Sequence, residues 1–97
     1  MQSRPLRVTA YTLCSAAGDG RAATLSALRE RRSGLTRNDF GPTPISTWIG
    51  RVPGLEEVSL PAALAGFACR NNRLAELALS TDGFADAVQA ARQRHGA

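Results

Sequence analysis

An α/β fold is what this sequence predicts, and three observations carry it. A β-branched and aromatic run covers residues 6–14, an amphipathic stretch follows after a small-residue turn, and a longer helical stripe fills residues 71–95. The predicted order is strand, helix, irregular segment with a short strand, long helix.

The first run, "LRVTAYTLC", alternates Val8, Ala10 and Thr12 against Thr9, Tyr11 and Leu13 with few charges, as strands do. Apart from threonines it is apolar on both faces, which predicts a strand inside a sheet and not at an edge. Two glycines and an aspartate in "SAAGDG" then make a turn. Asp19 is placed to cap the following helix. In "RAATLSALRERR", Ala22, Leu25 and Leu28 recur at threes beside Ala23 and Ala27, one face of an amphipathic helix. Arg29, Arg31 and Arg32 complement the dipole of its last turn, and Gly34 is placed to supply a left-handed stop.

Helical periodicity fails between residues 35 and 61. Pro42, Pro44, Pro53 and Pro61, with Gly41, Gly50 and Gly54, forbid a long helix there. The only strand candidate is "STWIGRV", residues 46–52. Irregular stretches of this length are often functional, or are covered by something else. Pro61 can open a short helical turn over residues 60–65. Asn71 or Asn72 then caps the long helix. Leu74, Leu77, Ala78, Thr81, Ala85, Val88 and Ala91 form its apolar stripe. Gly83 costs about 1 kcal/mol within it and marks a possible break. Arg92, Arg94 and His95 fill the last turn and Gly96 can end it.

Composition sets limits on the core. The chain is 43% hydrophobic, yet 17 residues are Ala, against 11 Leu, four Val, two Ile and five aromatics. A buried Leu or Phe contributes about 1.5–3 kcal/mol and Ala far less, so the core margin is thin for one small domain. The net charge is +4, and all twelve basic residues other than His95 are arginine. They are spread from Arg4 to Arg94, without the interleaved aromatics of a nucleic-acid surface. Two cysteines make no disulfide framework, no apolar run is long enough to span a membrane, and no signal-peptide h-region is present, which together point to a reduced cytoplasmic compartment.

Few residues could carry chemistry. Cys14 lies among small apolar neighbours and reads as a buried structural cysteine. Cys69 precedes a helix and adjoins Arg70, both of which lower a thiol pKa, but the only histidine, His95, is at the far end of the same predicted helix. One His and two scattered Cys give no zinc spacing. Glu56–Glu57 reads as solvated loop charge, and no phosphate-binding or nucleophile-elbow motif occurs. The group Arg29, Arg31, Arg32 and Arg37 reads first as solvent-exposed helix-end charge, and second as a patch steering an acidic partner.

Together these segments resemble the start of the β-ketoacyl-(acyl carrier protein) synthases, the condensing enzymes of fatty acid and polyketide synthesis. That family opens with a strand of the type V-V-T-G-x-G, a small-residue loop of the type S-P-L-G-x-x, and a helix with Leu pairs. A G-x-S-G-I-like segment follows, then an aromatic-glycine-arginine-valine strand, then an Arg-rich helix start leading into an alanine-rich helix. The similar stretches here are "RVTAYTLCSAAGDG", "AATLSALRERRSGL" with "TRNDF", "WIGRVPG", and "CRNNRLAELAL" with "FADAVQAAR". Each motif is weak alone, and "ALRERRSGL" and "WIGRV" weigh most. Tyr11 and Leu13 stand where glycines are common, and Ala16–Ala17 replace proline and leucine, which marks a divergent branch. "CRNNRLA" looks most like synthases of aryl-polyene or similar secondary-lipid clusters.

The resemblance implies an incomplete N-terminal portion of a thiolase-like fold, with residues 1–97 a partial domain. In the whole fold, two βαβαβαββ halves stack their sheets between helix layers, usually in a dimer. It also implies a decarboxylating Claisen condensation of acyl and malonyl units on acyl carrier protein, with a second synthase subunit as partner and no membrane. The family's nucleophilic cysteine and two histidines lie downstream of the part matched, and none maps onto Cys14, Cys69 or His95. The resemblance therefore carries over no catalytic, cofactor-binding or metal residue and implies a chain inactive alone. The last residues, "QRHGA", stand where the family would enter its next core strand. The alternative expectation is a small standalone α/β interaction protein without catalysis.

Overall fold

The computed structural model describes residues 3–96. It is a small α/β protein with two two-stranded antiparallel sheets and several helices. Strands β1 (Cys14–Ser15) and β2 (Gly18–Asp19) form a minimal hairpin, in which Cys14 pairs with Asp19 and Ser15 with Gly18. Ser15 Oγ accepts from the Ala17 amide at 3.1 Å and holds the turn. Helix α1 spans Arg21–Arg29. Strand β3 (Leu35–Arg37) pairs with β4 (Trp48–Gly50) through Leu35–Gly50, Thr36–Ile49 and Arg37–Trp48. Two 3₁₀ turns, Leu55–Glu57 and Ala62–Phe67, lead to α2 (Arg70–Leu79) and α3 (Phe84–His95).

The strand expected over residues 6–14 is not a sheet strand. Residues 3–12 run extended with no backbone hydrogen bond to any described residue, and Leu13 joins only by accepting from the Gly20 amide at 3.0 Å. Its β-branched residues favour extension, but none of the described segments lies where it could pair. The single long helix is also corrected: residues 80–83 break it into α2 and α3. Asp82 and Gly83 are both left-handed there, at φ 60° and 67°. A left-handed pair cannot continue a right-handed helix.

Two capping expectations change here. Helix α1 ends in a Schellman motif, with Arg31 N–H bonding Leu28 O and Arg32 N–H bonding Ala27 O. The left-handed residue of that motif is Arg31, at φ 53°, and not Gly34. Gly34 serves close approach instead: a Cβ there would sit 2.3 Å from Ala16 O. Asn72 does not cap α2, whose N-cap is Cys69; its Nδ2 donates to Phe67 O at 2.7 Å and closes the preceding 3₁₀ turn. Gly96 ends α3 in the left-handed conformation as expected.

Only Ala27 and Leu55 are buried hydrophobics among the described residues, at 1% and 8% exposure. Leu6, Val8, Ile45, Phe67 and Leu28 lie open to solvent. The radius of gyration is 17.3 Å, against about 12.5 Å for a compact chain of this length. The accessible surface of 8014 Å² compares with roughly 5,400 Å² for a folded monomer of this mass.

Candidate functional site

A group of long-range hydrogen bonds gathers around Asp82, in the elbow between α2 and α3. Helix α1 has Gly20 as N-cap, and Gly20 offers no side-chain acceptor. Asp19, the expected cap, faces the other way: its Oδ1 lies 3.1 Å from the Thr81 hydroxyl. Asp82 takes its place from 61 positions along the chain. Its Oδ2 accepts from the Arg21 amide at 2.9 Å and from Thr12 Oγ1 at 3.0 Å, with Arg21 Nε 3.5 Å away. Its side chain is 17% exposed against 47% for Arg21. An orphan amide at a helix start and a carboxylate complement each other in hydrogen bonding and in dipole charge. Thr81 Oγ1 also lies 2.8 Å from Leu77 O, so its one proton serves Leu77 or Asp19 at a time. Three remote pieces thus meet: the extended N-terminal segment, the start of α1, and the elbow. A turn was legible in the "TDG" triplet, since Asp tolerates the left-handed region; its long-range partners were not.

A second feature is an open cleft of about 580 Å³ lined by Phe40, Ile49, Arg51, Leu55, Glu56 and Arg70 among others. Asn38 shapes its rim, accepting from the Phe40 amide and donating to Ile45 O, both at 2.9 Å. The cations here are matched. Arg51 pairs with Asp39; Arg70 pairs with Glu56 and stacks on Phe40 at 4.9 Å, while Arg73 approaches Glu56 at 3.8 Å. These pairs are solvent-exposed, and such pairs contribute about 0–1 kcal/mol each. Residues 49–57 and Arg70 both line this cleft. Glu56, read with Glu57 as loop charge, supplies the anion that pairs with Arg70 and lies near Arg73.

The cysteines and the histidine are not brought together. Cys14 is half-buried in β1; burial first, and the Asp19 carboxylate opposite it second, push its thiol above the ordinary range. That keeps it protonated and poorly nucleophilic. Cys69 is exposed at the start of α2, His95 is the last residue of α3, and no hydrogen bond joins them. No group of three or more His, Cys, Asp or Glu side chains could hold a metal among the described residues. The arginine group is divided. Arg32 donates to Glu30 through Nε and Nη2 at 3.2 and 3.0 Å, and Arg37 stacks on Trp48 at 5.3 Å. Arg32 and Ser26 together hold the exposed Glu30 carboxyl below its usual range. No described helix is long and apolar enough to cross a membrane.

No protein family, curated protein or solved structure matches the chain.

Proposed function

We propose that this chain is an N-terminal structural segment of a β-ketoacyl synthase-type condensing enzyme, supplying scaffold and not chemistry. The observation that carries the reading is an extended apolar segment, residues 6–13, held beside a helix with no strand against it. In a thiolase-like fold such a segment is a sheet strand covered by helices. The open apolar surface and the thin core agree with a portion whose closing surface comes from further polypeptide. The divided Cys14, Cys69 and His95 offer no route to the covalent acyl capture such enzymes need. Acyl carrier protein and a second synthase subunit are partners of the completed enzyme in this reading.

The test supplies the purified chain with acyl- and malonyl-carrier protein and measures CO₂ release and 3-oxoacyl product. Neither is expected, and turnover above a no-protein control overturns the assignment.

A further inference from the structure

Two of the four aspartates, Asp19 and Asp82, precede a glycine, and both stand in the cluster that caps α1. A glycine after an aspartate leaves its amide unshielded by a Cβ and free to turn toward the carboxyl. The two pairs are held differently. The Gly20 amide donates to Leu13 O at 3.0 Å, Gly20 is buried, and a Cβ there would lie 3.0 Å from Thr81 Cγ2. Gly83 is exposed, its amide donates to no described acceptor, and nothing lies within 4 Å of its Cβ position. Asp82 and Gly83 are the two central, left-handed residues of a turn closed by Phe84 N–H on Thr81 O at 3.1 Å. On the Asp82 carboxyl, Oδ2 accepts the described bonds from the Arg21 amide and Thr12, and Oδ1 accepts none.

We propose that Asp82–Gly83 is a site of spontaneous modification, at which the aspartate converts to isoaspartate and so releases the cap of α1. The Gly83 nitrogen attacks Asp82 Cγ. A C–N bond forms, the Cγ–Oδ1 bond breaks, and that oxygen leaves as water with the amide and carboxyl protons. The donors held on Oδ2 stabilise the charge that builds there during attack. Water then opens the resulting succinimide ring. Opening at Cγ restores aspartate; opening at the main-chain carbonyl routes the backbone through Cγ and leaves the carboxylate on Cα. Water is the only co-reactant, lost on closure and regained on opening. The lengthened backbone and displaced carboxylate no longer match the Arg21 amide and Thr12, which cuts the link between the N-terminal segment, α1 and the elbow. At Asp19 the same closure must first break the Gly20–Leu13 bond, which slows it roughly fivefold.

Ageing of the full chain in warm, mildly acidic buffer, with and without guanidinium chloride, is the test. The peptides containing Asp19 and Asp82 are then scored for isoaspartate by mass spectrometry with electron-transfer fragmentation. In buffer alone, isoaspartate should accumulate at Asp82 roughly fivefold faster than at Asp19. In denaturant, which frees the Gly20 amide, the two rates should converge. In the isomerised chain, separated by chromatography, hydrogen exchange at the Arg21 amide should rise. Equal accumulation at both sites in buffer, none at Asp82, a preference that survives denaturant, or Arg21 exchange unaltered by isomerisation overturns the inference. The condensation assay reads none of these events, so either proposal can fail alone.

Discussion

Replacing Asp82 by alanine removes a helix cap that is supplied from across the molecule. The loss has three parts. A missing N-cap costs about 1 kcal/mol. The Thr12 bond, a partly exposed hydroxyl on a carboxylate, contributes about 0.5–1.5 kcal/mol. The Arg21 ion pair, with its guanidinium half exposed, contributes near the bottom of the 0–1 kcal/mol range. These terms share one carboxylate and do not simply add, so about 2 kcal/mol is the expected local loss. At 1.4 kcal/mol per factor of ten, the Arg21 amide should exchange with solvent about 30-fold faster in Asp82→Ala, read by hydrogen exchange and NMR. Asp82→Asn keeps the acceptor oxygen and should retain most of the protection. If Asp82→Ala leaves Arg21 exchange unchanged, or Asn behaves like Ala, the remote cap does not hold α1.

Two further outcomes follow from close packing and thiol chemistry. Gly34→Ala drives a methyl into Ala16 O and should cost about 1–3 kcal/mol, seen as faster exchange of the Gly20 amide; Gly66→Ala, with open space around it, should change nothing. Near neutral pH an alkylating reagent should modify the exposed Cys69 before Cys14, read by mass spectrometry. Because the folded Cys14 pKa is raised, its neutral form is the one folding favours. That contribution is complete below the unfolded thiol pKa and is lost as pH rises towards the folded one. Equal modification of both thiols near neutral pH would show that β1 does not shelter Cys14.

The sequence disclosed elements better than partners. The helical periodicity around Leu25 and Leu28 located α1, the Trp48–Gly50 strand fell inside its expected window, and Gly83 marked the real break between α2 and α3. Those signals are local, set by side-chain spacing and backbone sterics. The failures are all tertiary. Residues 6–14 have strand composition, but pairing needs a neighbour, and composition does not contain one. Asp19 stood in the right place to cap α1 and was displaced by Asp82, whose approach depends on how the elbow folds back. Gly34 looked like a helix stop, yet the Schellman motif that closes α1 puts the positive φ at Arg31, and Gly34 instead lends its bare backbone to the close approach of Ala16. Around the cleft, Arg51, Glu56 and Arg70 could each be read as charged, while the pairing of Arg51 with Asp39 across 12 residues and of Arg70 with Glu56 across 14 could not.

Calorimetry of the dilute chain, under conditions where sedimentation shows a monomer, addresses most directly whether these residues form a scaffold awaiting further surface. A self-sufficient domain of 97 residues absorbs on the order of 70 kcal/mol in one sharp transition near 60 °C. The chain is expected to show no such peak, only gradual loss of helix on heating. A sharp two-state transition of that size from the monomer would contradict the open core and the functional proposal built on it.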